Sequence, residues 1–291
     1  MLFEKRILQG QLNMSPHVSI VIPTYNRIEL TRRCIENLLN GDYNNVTIFI
    51  CDSNSVDGTN LLFQDEIKVV ILSVGSDAWW SAAVNRGIEA ALRRGTDYIV
   101  VMNDDIDFDQ NLVALLVAKI CLYPNYIVSP AQSTSKGVFL GTKYIGLLKL
   151  RSHIFSPICQ DKIEVDTSNG CCLIFSPCVF RDVGLFDEHN CPHLAGDFEF
   201  QIRAAHFNYK TLAFPDILIR QQESTSYFRK LKWNNILTFK GSPALLSQYL
   251  TFGRQLFGGP YRFLTFGFMY HISYVWAIFK SVASIFILSV K

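Results

Sequence analysis

The stretch of residues 98–109, YIVVMNDDIDFD, decides the predicted fold. Its first five residues are apolar and rich in β-branched side chains, which predicts a buried strand. Asn103, Asp104 and Asp105 follow directly, at the carboxyl end of that strand. In open α/β sheets, ligands bind just outside the carboxyl ends of the strands. We therefore expect these three polar residues to lie in a ligand site.

The acidic residues of this stretch indicate a cation. Neighbouring carboxylates repel each other unless a cation or another partner lies between them. Oxygen ligands at this density suit Mg2+ or Mn2+, and either ion would in turn hold a phosphate. The alternative is a solvated acidic loop in which Asp109 is the N-cap of the next helix.

Apolar runs and amphipathic segments alternate on the amino-terminal side of this stretch. Strands are predicted at residues 18–22, 46–51, 68–73 and 98–102, and helices after the first strand and at residues 81–94. Pro23 is expected to stop the first strand, and Asn26 with Glu29 resembles a capping box that opens the first helix. This βαβ alternation predicts a mostly parallel sheet with helices on both faces.

Two features connect the predicted sheet edge to a nucleotide. The second strand delivers Asp52 to the same edge as the acidic stretch. The loop after the first strand reads PTYNR, so it has no glycine-rich loop to cradle a diphosphate. A metal held by Asp105 would neutralise the diphosphate instead.

Length and cysteine content set the broad class. A chain of 291 residues fits one large domain with an appendage better than two full domains. Its eight cysteines are scattered without a CxxC pair, so we expect neither a zinc site nor a disulfide framework. We expect a reduced, cytoplasmic setting and no signal peptide.

The charge of the chain is divided unevenly. Residues 1–223 hold all 25 acidic residues and 19 of the 27 basic ones, a net charge of −6. Residues 224–291 hold eight basic and no acidic residues, a net charge of +8, and 16 of the 38 Phe, Tyr and Trp residues. The dense apolar content of residues 263–290 favours an anionic lipid surface over nucleic acid as the partner of this tail.

The tail is predicted to lie on a membrane. Its apolar runs, residues 263–279 and 281–290, are separated by Lys280, so neither makes a clean span of about 20 residues. Amphipathic helices anchored by aromatic residues and by Arg254, Arg262 and Lys280 fit better. The alternatives are a shallow re-entrant hairpin, or helices that pack on the rest of the protein or form a dimer.

Six segments in order resemble one protein family. They are VSIVIPTYNR, CDSNSVDGT, WWSAAVNRGIEAAL, MNDDID, NGCCLIFSP before GLFDE, and GDFEFQIRA. Together they resemble the inverting family 2 glycosyltransferases of the GT-A fold over residues 18–220. The chain is most similar to bacterial enzymes that build surface polysaccharides, including the rhamnosyltransferase-like branch.

The resemblance implies a domain organisation, partners and a location. Residues 1–223 would form a GT-A (Rossmann-like) catalytic domain, with a nucleotide-sugar half at about 16–110 and an acceptor half at about 111–223. Residues 224–291 would form the helical, membrane-associating appendage. The donor would be a nucleotide-diphosphate sugar and the acceptor a glycan or a lipid-linked glycan. The enzyme would then be cytoplasmic and peripheral on the inner face of the cell membrane.

The resemblance also implies roles at the donor site. Pro23, Thr24, Tyr25 and Asp52 would line the nucleotide. Asn103 and Asp105 match the two outer positions of the DxD motif of the family, which makes Asp105 the ligand of Mg2+ or Mn2+ and places Asp104 against the ribose or a metal-bound water. Asn103 departs from the motif, and its neutral amide should weaken metal binding without abolishing it.

The segment GDFE, which begins at Gly196, matches the acidic motif that the family has near the acceptor. The match makes Asp197 the catalytic base. In an inverting transfer one carboxylate takes the proton of the acceptor hydroxyl as that hydroxyl attacks the anomeric carbon. Asp197 as the N-cap of a helix is the structural alternative, and the two readings are compatible.

Several further residues have weaker signals. Asn85 matches an Asn-x-Gly element close to the donor, but Val84 replaces the Arg that many relatives have before it, so Arg27 or Arg86 would contact the diphosphate. Where many relatives have a metal-binding His after the last core strand, this chain has Gln221. The candidates for contact with the acceptor or the sugar are Trp79, Trp80, Gly170, His193 and Glu199. Each tryptophan could equally be a packed core residue.

Two functions from other classes remain open. A sugar nucleotidyltransferase shares the sheet and the metal chemistry, but it would need a basic glycine-rich loop where this chain has PTYNR. A non-catalytic membrane scaffold that retains the fold is the second alternative, and Asn103, Val84 and Gln221 are the departures that favour it.

Overall fold

The computed structural model describes residues 15–145, 150–155, 160–193 and 195–222. These residues form one mixed sheet of eleven strands with helices on both faces. The architecture confirms the predicted α/β fold class. The predicted tail, residues 224–291, lies outside the described residues. No helix in the described ranges is both long and apolar enough to span a membrane.

The first half of the sheet is parallel. Its elements are β1 (Val18–Thr24), α1 (Ile28–Leu39), β2 (Val46–Asp52), β3 (Val69–Ser73), α2 (Trp80–Arg94) and β4 (Tyr98–Met102). The strand order is β3-β2-β1-β4, and the register pairs Thr24 with Asp52 and Val18 with Tyr98. The carboxyl ends of β1, β2 and β4 therefore meet at one edge of the sheet.

The second half of the sheet is mixed. Its elements are β5 (Ile106–Phe108), α3 (Leu112–Leu122), β6 (Tyr126–Thr134), β7 (Gly137–Ile145), β8 (Leu150–Phe155), β9 (Ile163–Val165), β10 (Cys172–Phe175), α4 (Pro177–Val183), α5 (Gly196–His206) and β11 (Lys210–Gln221). β10 runs antiparallel to β4, and its neighbours continue in the order β6-β11-β5. The amino end of β10 therefore lies beside the carboxyl end of β4.

The core lies on both faces of the sheet, because alternate strand residues point in opposite directions. Ile20 and Ile22 of β1 pack with Ile35 of α1 and Leu116 of α3 on one face. On the other face Val21 packs with α2, α4 and α5, whose Phe180 and Phe200 are buried there. The two clusters therefore cover opposite faces of the same sheet.

Some of the predicted element ends are wrong. β1 continues through Pro23 to Thr24. The strand tolerates a proline there because β4 pairs with β1 only from Val18 to Val21, so no hydrogen bond to β4 requires an amide N–H at Pro23. The helix α1 starts at Ile28, and its first amide donates to Asp57 Oδ2 at 2.9 Å. The expected cap, Asn26, instead accepts a 2.8 Å hydrogen bond from the Val56 amide.

The two other proposed N-caps also differ from the structure. α3 begins at Leu112, so Asn111, and not Asp109, occupies the N-cap position. α5 begins at Gly196 after Ala195, whose φ is 60°, and Asp197 lies in the first turn of the helix. Asp197 is therefore inside the helix, and its side chain is available for other contacts.

Candidate functional site

The polar residues predicted from the sequence converge on the carboxyl edge of the parallel strands. β1 ends at Thr24, β2 at Asp52, and Asn103 follows β4 between them and β10. The Asn103 amide donates to the Cys171 carbonyl at 2.9 Å, which joins this edge to the amino end of β10. Residues that are far apart in the chain are thereby brought into one site.

Asp104 is buried, with 1% of its surface exposed, and is surrounded by donors. Its Oδ1 accepts from Arg27 Nη1 at 3.0 Å. Its Oδ2 lies 3.1 Å from the Thr24 hydroxyl and 3.0 Å from the Thr31 hydroxyl. The carboxylate therefore joins the end of β1, the loop after it and the helix α1 to the end of β4. Its contact with a ribose or a metal-bound water stays a prediction.

Asp105 differs from its neighbour because part of its carboxylate is unsatisfied. It is 5% exposed, its Oδ2 lies 3.6 Å from Arg27 Nη1, and no described residue donates a hydrogen bond to its buried Oδ1. Burial raises the pKa of this carboxyl above its usual value and the Asp104 charge adds to the rise, while the Arg27 charge and a hydrogen bond from the Gln221 side chain oppose it in part. A buried carboxylate oxygen without a donor fits a divalent cation.

The described residues contain no group of three or more His, Cys, Asp or Glu side chains that could hold a metal ion. Gln221, which stands where the resemblance led us to expect a metal-binding histidine, lies beside Asp105. Its Oε1 accepts from Gln132 Nε2 at 3.1 Å, and the next amide, of Gln222, donates to the Asp105 carbonyl at 2.8 Å. A cation bound at Asp105 would therefore take its other ligands from protein amide or carbonyl oxygens, from water or from phosphate.

Arg27 is the positively charged side chain that contacts Asp104 and Asp105. Its guanidinium lies between Asp104 and Asp105 and is 37% exposed, so it can also reach a ligand from solvent. Arg86, the other candidate, instead lies 3.4 Å from Glu188. Burial lowers the pKa of His193, and the positive charge of Arg27 lowers it further.

Asp52 lies at the other end of the site. It is 2% exposed and accepts hydrogen bonds from the amide and the hydroxyl of Ser55. The Ser53 amide donates to the Thr24 carbonyl at 3.1 Å, so the loops after β1 and β2 are joined. Tyr25, 57% exposed, lies in the first of these loops, directly after Pro23 and Thr24. The nucleotide contacts of these residues stay predictions.

Asp197 of α5 is held next to the amino end of β10, which lies beside the carboxyl end of β4. The Gly170 amide donates to its Oδ2 at 2.7 Å. Gln201, one turn further along α5, is buried and accepts from the Ser168 amide at 2.7 Å, while its Nε2 donates to the carbonyls of Ser168 and Asp197. Gln201 therefore fastens the segment before β10 to α5 and fixes the distance between Gly170 and Asp197.

The Cys171 thiol lies within electrostatic range of both Asp105 and Asp197. Burial raises its pKa, and the negative charges of Asp105 and Asp197 raise it further. Both carboxylates therefore act on one buried atom at the end of β10. The seven cysteines among the described residues are free thiols.

Glu199 and Asn85 contact the protein framework. Glu199 is 1% exposed and pairs with Arg203 at 2.7 and 2.9 Å. Asn85, 2% exposed, bonds the amide and carbonyl of Phe186 and the carboxylate of Glu188. Both side chains fix the segments that precede and form the start of α5, and their predicted ligand contacts stay untested.

The two tryptophans have different neighbours. The Trp79 ring lies 5.3 Å from the His193 ring, with the ring planes at 57°. Trp80 donates from its indole nitrogen to Asn103 Oδ1 at 3.0 Å and packs edge-on against Phe186. Trp80 is therefore joined to the residue that follows β4 by a specific hydrogen bond, in addition to its packing.

Comparison with known proteins identifies the family. The model described as "Glycosyl transferase family 2" matches residues 19–182, which is more than half of the chain. The chain belongs to glycosyl transferase family 2. This family 2 glycosyltransferase has the GT-A fold that the sequence predicted, since solved members of that fold superpose on it. The particular branch within the family stays a prediction.

Three similar proteins illustrate the family relationship. An uncharacterised glycosyltransferase of Rickettsia prowazekii is 24% identical over 78% of this chain and 76% of its own length. The structure of GalNAc-T7 with UDP, GalNAc and Mn2+ has 14% identity and a TM-score of 0.59, covering 71% of this chain and 44% of that one. The structure of the mannosyltransferase PcManGT from Pyrobaculum calidifontis with GDP-Man and Mn2+ has 15% identity and a TM-score of 0.54, covering 78% and 65%. This glycosyltransferase spans less than two thirds of either solved chain.

Two polar residues of this family 2 glycosyltransferase were not found from the sequence. Thr31 occupies a buried position of α1 among apolar residues, and Gln201 does so in α5 between Phe200 and Ile202. The available signal was a polar residue on an otherwise apolar helix face. That signal shows that the side chain has a partner, but it does not show which partner.

Proposed function

We propose that this glycosyltransferase moves a sugar from a nucleotide-diphosphate donor to an acceptor hydroxyl with inversion at the anomeric carbon. The observation that carries the proposal is the pair of carboxylates on one sheet edge. One, Asp105, has a buried oxygen without a donor, and the other, Asp197, is held by the Gly170 amide. Solved relatives with UDP or GDP-Man support a nucleotide donor.

The donor would bind across the ends of β1, β2 and β4. Asp52, Pro23, Thr24 and Tyr25 would contact the nucleoside, and the exposed part of the Arg27 guanidinium would contact the diphosphate. Asp105 would hold Mg2+ or Mn2+, with waters and phosphate oxygens as the other ligands. When bound, the metal would stabilise the negative charge that develops on the departing nucleoside diphosphate.

Asp197 would act on the acceptor. A carboxylate at this place can accept the proton of the attacking hydroxyl, which raises the nucleophilicity of its oxygen. The Gly170 amide holds one carboxylate oxygen at 2.7 Å and so fixes the orientation of the group. Positioning of this kind lowers the entropic cost of bringing the hydroxyl and the base together.

The proposed setting is surface polysaccharide biosynthesis. The support is the sequence resemblance described above and the basic, aromatic composition of residues 224–291. An anionic membrane would attract such a tail, and this would keep a cytoplasmic enzyme close to a lipid-linked acceptor.

The test is transfer of a labelled sugar by the purified full chain. A panel of radiolabelled UDP, GDP and dTDP sugars is incubated with an extract of glycan lipids, and the anomeric configuration of the product is read by NMR. Asp197→Asn should lower transfer at least about a hundredfold, because a general base contributes that much or more. Asp216→Asn, which removes only a surface pair with Lys119, should leave transfer unchanged. A retained anomeric configuration, or full activity of Asp197→Asn, would contradict the proposal.

A further inference from the structure

The side-chain amide of Asn103 has a defined orientation. The indole nitrogen of Trp80 lies 3.0 Å from Asn103 Oδ1. An indole N–H is a donor only, so the atom that faces it must be the carbonyl oxygen of the amide and not its nitrogen. The other end of the same amide, the Nδ2 group with its two hydrogens, is thereby turned away from Trp80.

The Nδ2 group is available to a ligand. Asn103 is partly exposed at the end of β4, and no described residue accepts a hydrogen bond from Nδ2. Its backbone is fixed, because its amide donates to the Cys171 carbonyl at 2.9 Å. The side-chain donor therefore belongs to a residue whose backbone is fixed at the end of β4, next to Asp104 and Asp105 in the chain.

Trp80 is itself held in place. Its ring meets Phe186 edge-on, with centroids 5.3 Å apart and planes at 87°. Phe186 stacks on Phe200, with centroids 4.5 Å apart, and Asn85 bonds both the amide and the carbonyl of Phe186. The indole therefore cannot swing to serve a different acceptor without disturbing this packing.

We propose that Trp80 is a positioning residue that turns Asn103 so that its Nδ2 donates a hydrogen bond to an oxygen of the bound nucleotide sugar. The inference rests on the proposed function, since it assumes that the donor binds at this edge. Asp104 and Asp105 already place two carboxylates beside a negatively charged diphosphate. A neutral amide at position 103 avoids the additional repulsion of the diphosphate that a third carboxylate there would cause.

The proposal assigns Asn103 a contact of a kind that its acidic counterpart in the family motif could not make. A carboxylate can accept a hydrogen bond from the indole just as the amide oxygen does. It has no hydrogen for the ligand when ionised, so only the amide satisfies both Trp80 and an accepting oxygen. The asparagine in place of the acidic residue of the motif would then serve to donate a hydrogen bond to the ligand.

The experiment is a double-mutant cycle on nucleotide binding, measured by isothermal titration calorimetry in chelator and again with Mn2+. The ligands are UDP and GDP, and the matching sugar nucleotides. The proteins are the wild type, Trp80→Phe, Asn103→Ala and the double variant. The control is Tyr98→Phe, which removes a polar aromatic contact, the one with Cys121, at the amino end of β4 and away from the site. Circular dichroism establishes that each variant is folded.

Trp80→Phe and Asn103→Ala should each weaken binding about five- to twentyfold, as expected for loss of one well-placed hydrogen bond. The double variant should bind within about twofold of either single variant, because the two residues act as one unit. An equal loss for the diphosphate and its sugar nucleotide places the accepting oxygen on the nucleotide, whereas a loss confined to the sugar nucleotide places it on the sugar. Asn103→Asp should bind the nucleotide more weakly than the wild type in chelator.

Two results would overturn the inference while leaving the proposed function intact. One is a wild type that binds a nucleotide while Trp80→Phe binds it equally well. The other is a double variant whose loss is the product of the two single losses, which would show that the residues act independently. A wild type that binds no nucleotide under any condition would contradict the proposed function itself.

Discussion

The amide of Gly170 donates a 2.7 Å hydrogen bond to Asp197 Oδ2, and the two residues are also in close steric contact. A β-carbon added at Gly170 would lie 2.6 Å from Asp197 Cβ and 2.8 Å from its Oδ2. Real β-carbons essentially never approach another heavy atom so closely. The glycine is therefore required by the neighbouring carboxylate.

We expect Gly170→Ala to displace Asp197 and to lower sugar transfer about a hundredfold, since a shift of about 1 Å at a reacting group can cost that much. Nucleotide binding should stay close to that of the wild type, because the donor residues lie on other strands. Steady-state transfer rates and calorimetric nucleotide affinities measure the two effects separately.

The control for Gly170→Ala is Gly95→Ala. Gly95 has a φ of 77° but no heavy atom within 4 Å of an added β-carbon, so its substitution strains the backbone without touching the site. It should lower stability and leave transfer unchanged. Full transfer activity in Gly170→Ala would show that the position of Asp197 is not critical.

The Glu199–Arg203 pair gives a prediction about stability. Arg203 bonds both oxygens of the buried Glu199 and also the carbonyls of Val183 and Leu185. Arg203→Met should lower the free energy of unfolding by about 3–5 kcal/mol, because it leaves a buried carboxylate without its partner. Urea denaturation measures this difference.

Two comparisons sharpen the prediction for Arg203. The double variant Glu199→Leu/Arg203→Met should recover most of the loss, because no buried charge remains. Arg93→Met, at an exposed pair with Glu89, should cost less than about 1 kcal/mol. A small loss in Arg203→Met, with lost nucleotide or acceptor binding in Glu199→Gln, would instead favour a ligand role for Glu199.

Asp105 should make the stability of the metal-free protein depend on pH. Its pKa is raised in the folded protein, chiefly by burial, so the ionised form costs the folded state free energy at neutral pH. In chelator, Asp105→Asn should therefore unfold at a higher temperature than the wild type at pH 7.5. The gap should shrink as the pH falls through the raised pKa and close below the ordinary value of about 4.

Thermal unfolding curves between about pH 4 and pH 8 test this expectation for Asp105. Asp65→Asn is the control, because Asp65 is exposed and away from the sheet edge. A variant Asp105→Asn that is no more stable than the wild type at pH 7.5, or a gap that widens in acid, would contradict the assigned environment of Asp105.

The parallel half of the fold could be predicted from the sequence because its signals are local. The apolar runs before Thr24, Asp52 and Asn103 give the strands, and the βαβ connections give their common direction. The strands between residues 126 and 165 were not predicted. Here β6 pairs in parallel with the distant β11, whereas β6, β7 and β8 form consecutive antiparallel pairs. Residues 131–165 mix Gly, Ser, Lys and apolar residues without a clear alternation, so no local pattern marks these strands.

The candidate site could be predicted as a set of residues but not as a set of contacts. From the sequence, Asp52 and Asp105 were predicted at one sheet edge, and a motif of the resembling family assigned Asp197 to the acceptor. It could not show that Asp57, across a loop, caps α1 in place of Asn26, or that Trp80 donates to Asn103. Such contacts depend on distances between elements, which local propensity and periodicity do not encode.

The central claim is that the edge formed by Asp52, Asn103 and Asp105 binds a nucleotide diphosphate with the help of a metal. The most direct test is a thermal-shift panel of UDP, GDP, dTDP and CMP, each with and without Mn2+, on the wild type and on Asp105→Ala. One diphosphate should stabilise the wild type in the presence of Mn2+, by about 2.7 kcal/mol at a hundredfold excess over its Kd, and Asp105→Ala should lose that effect. No shift with any nucleotide under any condition, or an equal shift in Asp105→Ala, would contradict the account.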